Sequence, residues 1–430
     1  MDIKNYTEPE RSSWNKLIER PESNAADLNE TVSHILREVK LQGHEAVVKY
    51  NAKFGGTNEP DIKVGEKEIE NASNLVSNEL KNAIKIAKEN IEKFHRAQVY
   101  NEPIVNIAEG IQCWRKSLPI EKVGLYIPGG TAPLFSTLLM LGVPAIIAGC
   151  KEIIVCSPPN QKGSLHPAIL YTAHLMGLKN VYKTGGIQAI GAMAYGTSVI
   201  PKVYKIFGPG NQYVTAAKQM VNAEGVAIDM PAGPSEVAVY ADETSDASFV
   251  ASDLLSQAEH GLDSQVVLVC STTKIANDVI NELKIQLPLL PRKDIAFQSL
   301  AKSQIVVLNN VDTAFDFLNN YAAEHLIIAT DDPEKLAGKV STAGSVFLGH
   351  YSPESAGDYA SGTNHTLPTN AYARAYSGVS VDSFVKKITF QQLTRSGLAS
   401  IGNAVEVMAA AEGLDAHKNA ITIRLNTTRQ

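Results

Sequence analysis

The chain has 430 residues, 44% of them hydrophobic and 20% charged, which suits a globular protein with more chain than one core can hold. The net charge is −6, and no basic stripe with interleaved aromatics occurs, which excludes a nucleic-acid footprint. Cys113, Cys150, Cys156 and Cys270 have no CxxC spacing, so they predict buried thiols in a reducing compartment rather than disulfides or a cysteine zinc site.

The opening stretch, MDIKNYTEPERSSWNKL, is polar and lacks the apolar core of a signal peptide, so the cytoplasm is the expected location. Residues 10–100 are charged and helical in pattern. In NELKNAIKIAKENIEKFHRAQ (78–98) Leu80, Ile84, Ile86 and Ile91 recur among lysines and glutamates, predicting a surface helix. The longest uncharged run, PLFSTLLMLGVPAIIAGC (133–150), holds Pro133, Pro144, Ser136, Thr137 and two glycines. It predicts a helix after a turn, then a loop and strand, and not a membrane span.

From residue 121 the pattern changes. VGLYI, IIVCS, VYKTG and VYKIFG read as strands, and IPGGT, KTGGIQ and FGPGN as glycine turns opening helices such as IQAIGAMAYG and QYVTAAKQMV. After residue 235, EVAVYA, QVVLVC, QIVVL, HLIIAT and SVFLG read as strands, with helices DASFVASDLLSQAEH and DTAFDFLNNYAAEH between them. Strand–turn–helix repetition predicts an α/β protein with two Rossmann-like parallel sheets and a ligand cleft between them. The segment 351–378 is too long for an inert connector and rich in aromatics, so it is expected to be functional. Residues 379–430 read as a helical tail ending in a β-like ITIRL. The expected division is 1–120, a helical segment leading into the first α/β domain; 121–234, an inserted α/β domain; 235–370, the first domain continued; and 371–430, the tail.

Four stretches carry candidate chemistry. In SQAEHGLDSQ (256–265), Gln257 and His260 stand three apart and share a helix face. With Gly261 as the residue after the cap, they sit at a helix end whose partial negative charge favours a cation. The same residues also suit a capping histidine. In NYAAEHLIIAT (320–330), Glu324 and His325 could supply a water-activating carboxylate and a base near neutral pH, or form a solvated turn. They lie at the amino edge of a strand, opposite to the edge where open α/β sheets usually bind ligands. SAGDYASGTNH (355–365) offers Asp358 and His365, as a further oxygen donor and its neighbour or as an Asx-turn. AEGLDAHKN (411–419) offers Glu412 and His417, or a polar helix end. Ser235 in PAGPSEV is outside any G-x-S-x-G elbow, which points to hydrogen bonding rather than nucleophilic attack. The glycine turns could present N–H groups to phosphates, but none matches the GxGxxG fingerprint.

Taken together, VGLYIPGGTAPLFST, FGPGNQYVTAAKQ, DMPAGPSEV, DLLSQAEHG, AAEHLII, PESAGDYASGTNHTLPT and AEGLDAHKNA, in this order, resemble the histidinol dehydrogenases over nearly the whole chain. The first hundred residues match more loosely. The resemblance implies an NAD-dependent oxidation of L-histidinol, through the aldehyde, to L-histidine, the last step of histidine biosynthesis. It implies one zinc ion per subunit on Gln257, His260, Asp358 and His417. It implies a homodimer whose C-terminal tail crosses over, so that His417 and Glu412 complete the other copy's site. Glu324 and His325 become the catalytic pair. Ser235, Gln257, His260, His325, Asp358, His365, Glu412 and His417 become substrate contacts, and Tyr126, Gln188 and Asn211 NAD contacts within the inserted domain. Neither nucleic acid nor membrane is an expected partner. Competing readings are a related zinc-dependent dehydrogenase of another alcohol, for example a sulfonated one, a zinc hydrolase using Glu324, and a non-catalytic metal-binding protein. Glu412, His417 and His365 favour histidinol over the first.

Overall fold

The computed structural model describes residues 3–20, 25–55, 57–129, 133–231 and 233–427. Gly130 and Thr131 of the IPGGT turn, and Ala232 of PAGPSEV, lie outside the described residues.

Two parallel sheets form the framework. The larger runs Lys4–Thr7, Gln304–Val307, Gln265–Cys270, Glu236–Ala241, His325–Ala329, Ser345–Leu348. The smaller runs Asn180–Lys183, Glu152–Ser157, Lys122–Tyr126, Lys205–Phe207, Ala227–Ile228. Every residue of Glu236–Ala241, Gln265–Cys270 and His325–Ala329 is buried. Past their polar first residues, strands covered on both faces carry apolar side chains at successive positions, which is why they read as unbroken runs rather than alternating ones. In each sheet the chain builds outward from one central strand, then returns to build on its other side. The reversal falls beside Lys122–Tyr126 in the smaller sheet and beside Glu236–Ala241 in the larger.

The N-terminal residues serve both sheets. Trp14, Leu17 and Ile18 pack with Ala238, Val267 and Phe317 of the larger body. Val32, Ile35, Leu36 and Val39 pack with Ile190, Met193 and Val214 of the smaller. The helix Asn78–Arg96 begins at Ser77, whose side chain accepts from Leu80 N, and buries Ile84, Ala87, Ile91 and His95. Ile86, expected on its apolar face, is 56% exposed. The run at 133–150 forms the helix Phe135–Ala148, continuous through Pro144 and ended by left-handed Gly149. No described helix is long and apolar enough to cross a membrane. All four cysteines are free, Cys156 and Cys270 buried, Cys113 and Cys150 half-buried.

A third, antiparallel sheet joins Val385–Leu393 to Ile111–Pro119 and Val105–Ala108. Beyond it, the helices Arg395–Ala411 and Asp415–Asn426 pack together. The β-like ending expected of ITIRL is therefore wrong, because these residues lie inside the last helix. β-Branched residues disfavour helix only mildly, and tertiary packing overrides that preference. A Cβ added at Gly402 would stand 2.7 Å from Leu425 Cδ1 and 3.3 Å from Ile421 Cγ2, so the bare glycine lets the two helices close on each other.

Candidate active site

The helix Ala247–Ala258 starts on Asp246, whose carboxylate accepts from Ser248 N and Phe249 N. It delivers Gln257 to the interior at 1% exposure and His260 just past its end. His260 N bonds back to Gln257 O at 3.2 Å, which tightens the last turn. Gly261 is not among the glycines with positive φ, so it does not act as the left-handed cap the sequence suggested.

The helix Val311–Tyr321 ends on left-handed Ala322, and the chain then enters the strand His325–Ala329. Glu324 and His325 are both buried, so a solvated turn is excluded. Glu324 Oε2 accepts from Glu236 N at 2.9 Å and, more weakly, from Gln257 Nε2 at 3.4 Å. His325 Nδ1 lies 3.2 Å from Glu236 O. A carbonyl can only accept, so this nitrogen carries a proton. The other, Nε2, stands 3.3 Å from Asp358 Oδ1.

Asp358 sits on a short helix, Glu354–Tyr359, not in an Asx-turn. Glu354 stands one turn earlier on the same face. His365 braces this helix. Its Nδ1 lies 2.9 Å from Asp358 O and its Nε2 3.2 Å from Thr137 Oγ1, a neutral ring donating to the carbonyl and accepting from the hydroxyl.

His260, Glu354 and Asp358 bring ligand atoms to within 4.8 Å of one another. Gln257 Oε1 and Glu354 Oε2 are buried without a hydrogen-bond partner among the described residues, and Asp358 Oδ1 and His325 Nε2 face only each other at 3.3 Å. Each such orphan costs about 1–3 kcal/mol. Imidazole, carboxylate and amide oxygens without thiolate suit a borderline-to-hard divalent cation. The residues therefore fit a zinc ion.

Burial lifts the Glu324 carboxyl to about 7 and that of Glu354 to about 8. Burial alone would lower His325, but Glu354, Glu324 and Asp358 together outweigh it and raise the imidazole to about 10. Asp358 is pushed up by burial and pulled further down by His325, so it stays below the ordinary range. Burial holds His260 and His365 below their ordinary values.

A cavity of about 910 Å³ opens onto this group, and Ser235, His260, Glu324 and His365 line it. Residues 208–211 of the smaller sheet line its other side. Tyr126 ends the strand Lys122–Tyr126, and its hydroxyl accepts from Gly186 N at 3.2 Å. Gln188, on the helix opened by that glycine, donates from Nε2 to Asn51 Oδ1 at 3.1 Å. Asn211 caps the helix Gln212–Ala223. All three stand at the carboxyl edge of the smaller sheet, around its reversal point, where such sheets bind ligands. Asn211 lines the described cavity; Tyr126 and Gln188 are buried. Gly208 has φ +123°, and a Cβ on it would lie 2.1 Å from Tyr126 O, so only glycine fits this turn. Lys218 Nζ donates to Gly208 O at 2.8 Å, and Asp229 Oδ2 accepts from Gly208 N at 2.7 Å.

One chain thus gathers Gln257, His260, Asp358, Glu324, His325, Ser235 and His365. It does not bring Glu412 or His417 to them. Both are exposed on the terminal helices, and neither is among the described residues lining the cavity. Sequence reasoning missed Glu354, Glu236 and Thr137. Reading 354–359 as a helix would have paired Glu354 with Asp358 by their spacing of four; nothing local marks the other two.

A family model described as histidinol dehydrogenase matches residues 18–425. The chain is 57% identical over 422 residues to the histidinol dehydrogenase of Bacteroides fragilis, covering 98% of this chain and 99% of that one. It is 47% identical over 432 residues to that of Campylobacter jejuni, covering 100% of both. The crystal structure of histidinol dehydrogenase from Elizabethkingia anophelis superposes with a TM-score of 0.96 at 55% identity, over 98% of each chain. Matches of this identity and extent show that the chain belongs to the histidinol dehydrogenase family.

Proposed function

We propose that this chain catalyses the NAD-dependent, four-electron oxidation of L-histidinol, through a retained aldehyde, to L-histidine. One observation carries the assignment: Glu324 and His325 are buried side by side against Gln257, His260 and Asp358, at a cleft whose far wall is the 208–211 turn. Gln257, His260 and Asp358, with His417 from a second copy, would hold zinc, and Glu354 lies within reach. The ion would supply the Lewis-acidic charge that helps hold and orient the substrate. NAD would supply the hydride acceptor for both oxidations; Tyr126, Gln188 and Asn211 are its proposed contacts.

The remaining work falls to the chain's own groups. His325 takes the proton from the substrate hydroxyl at Nε2, because Nδ1 is committed to Glu236 O. Glu324, its carboxyl lifted to about 7 by burial, draws a proton from the water that attacks the aldehyde carbon. The enclosed site keeps the aldehyde from side reactions. Ser235 and Glu412 contact the substrate, Glu412 from the second copy. His365, whose ring nitrogens are both bonded within the chain, borders the substrate and steadies Asp358. The proposal includes 121–234 as the inserted NAD-contacting domain and 371–430 as the dimerisation tail. Ile401, Val407, Met408, Leu414 and Ile423 expose apolar surface along that tail, which a homodimer would cover. A cytoplasmic location belongs to the same reading.

The test is NADH release from L-histidinol by purified protein with defined zinc. Two NADH per histidinol, with free aldehyde absent, is the expected result. Turnover of another alcohol but not of histidinol refutes the substrate, and turnover without NAD supports a hydrolase instead.

A further inference from the structure

Glu324 and His325 are fastened to the same residue. The N–H of Glu236 donates to Glu324 Oε2 at 2.9 Å, and its carbonyl lies 3.2 Å from His325 Nδ1. Glu236 opens a fully buried strand and is itself 1% exposed. An acid there must be paired. Its Oε1 accepts from Arg20 Nε at 3.0 Å and from Asn370 N at 2.8 Å, and its Oε2 accepts from Arg20 Nη2 at 2.9 Å. Arg20 reaches further. Nη2 donates to Tyr321 O at 2.6 Å, Nη1 donates to Ile18 O at 3.2 Å, and the guanidinium lies 4.0 Å from the centroid of the Tyr321 ring. Tyr321 ends the helix that leads into Glu324. One guanidinium therefore joins the N-terminal segment, the start of the central strand and the approach to the catalytic pair.

Stability alone is a poor reason for this arrangement. A buried ion pair recovers little beyond its desolvation cost, and apolar side chains of equal volume often do as well. What a two-pronged guanidinium–carboxylate contact supplies is fixed geometry.

We propose that Arg20 and Glu236 are positioning residues for the reaction: their two-pronged contact fixes the backbone of residue 236, whose N–H and C=O set where the Glu324 carboxylate and His325 imidazole stand relative to the substrate. This rests on the reading of Glu324 and His325 as the catalytic pair. Arg20 also lines the cavity, so the test must separate positioning from direct contact with substrate.

The experiment compares Arg20→Met, Arg20→Lys and Glu236→Gln with the unaltered zinc enzyme, measuring kcat, KM for L-histidinol and zinc content. A displacement of about 1 Å costs about 100-fold in rate, and a loss of this size in kcat is expected for Arg20→Met. KM stays within about twofold and zinc content is unchanged, as no proposed substrate contact or ion donor is itself replaced. Arg20→Lys recovers only part of the loss, since a point charge cannot make the two-pronged contact. Arg20→Ala regains rate with added ethylguanidinium. An unchanged kcat overturns the proposal. So does a raised KM at constant kcat, which makes Arg20 a substrate contact. Loss of zinc together with activity also overturns it. If Arg20→Met does not fold, a folded Glu236→Gln enzyme with normal kcat overturns it. If neither folds by circular dichroism, the pair is structural and the proposal falls. Glu324→Gln and His325→Gln run alongside. Full activity in those sinks the catalytic reading itself, whereas their inactivity beside a normal Arg20→Met sinks only the positioning role.

Discussion

Removing the cation should disable His325 as a base before any ligand moves. In the chain's own field, Glu354, Glu324 and Asp358 raise its imidazole to about 10 against the lowering effect of burial. At pH 7 that leaves about one molecule in a thousand with a neutral ring, too few for a base that must accept a proton. A zinc ion held by Asp358 changes the balance. Asp358 Oδ1 lies 3.3 Å from His325 Nε2, and a zinc–oxygen bond is about 2 Å, so an ion held through Oδ1 would stand within about 5.5 Å of that nitrogen. At an effective dielectric of about 20, two positive charges at this distance repel the imidazolium by about 6 kcal/mol, or about four powers of ten in proton affinity. That is enough to return the ring to the neighbourhood of its ordinary value. The assay is a nitrogen-15 NMR titration of the His325 ring in metal-depleted and zinc-loaded protein, with His325→Gln to assign the signal. Protonation persisting to about pH 10 without metal, and lost near neutrality with it, is expected. Titration at the same pH in both states refutes the reasoning. Stability follows with a definite sign. The folded state holds extra protons on His325, Glu324 and Glu354, so metal-depleted protein loses stability as pH rises. For the two carboxyls this occurs from about 4.5 to about 8, and for His325 from 6.5 to about 10. A thermal midpoint that climbs between pH 6 and 9 contradicts this.

Four further results are expected. Glu324→Gln should permit the first NADH and stall the second, lowering overall turnover by about 100-fold or more, as stopped-flow absorbance would show; equal loss of both steps argues against a role in water attack. Glu354→Gln should weaken zinc about 10-fold in competition with a chelator, and unchanged affinity would place Glu354 outside the ion's reach. Mixing His325→Ala with His417→Ala protein should restore activity in hybrid dimers, and no recovery despite proven subunit exchange argues against a shared site. Gly208→Ala, which forces a side chain into φ +123° and against Tyr126 O, should cost at least about 1–3 kcal/mol in chemical denaturation, with weaker NAD binding by fluorescence titration.

The parallel sheets were legible because strands covered on both faces leave a strong signal, runs such as QVVLVC and EVAVYA bounded by turns. Gln257 and His260 were legible because their spacing is local. Legibility failed where partners are far apart in the chain. Val385–Leu393 pairs along its whole length with Ile111–Pro119, and neither strand is buried enough to carry an apolar pattern. Arg20 and Glu236 stand 216 positions apart, and an arginine near a chain's start looks like any surface charge. Glu354 was hidden for another reason: a glycine- and serine-rich stretch reads as loop, and its one helical turn is held by tertiary contacts such as His365 Nδ1 to Asp358 O. The end of the chain failed in the opposite direction, where ITIRL has strand-like residues but a helix to pack against.

The edge on which Glu324 and His325 sit follows from the same physics. The proposed NAD contacts Tyr126, Gln188 and Asn211 stand at the carboxyl ends of strands in the smaller sheet, the edge where ligands usually gather and turns meet helix N-termini. Glu324 and His325 stand instead at the amino edge of the larger one. That edge supplies something the other does not. Glu236 opens the central strand, and its N–H and C=O meet Glu324 and His325. One residue can thereby hold a carboxylate through its N–H and define a histidine tautomer through its C=O. The chain then needs only to lay the carboxyl edge of one sheet against the amino edge of the other, and the cavity shared by residues 208–211, Ser235 and Glu324 has that arrangement.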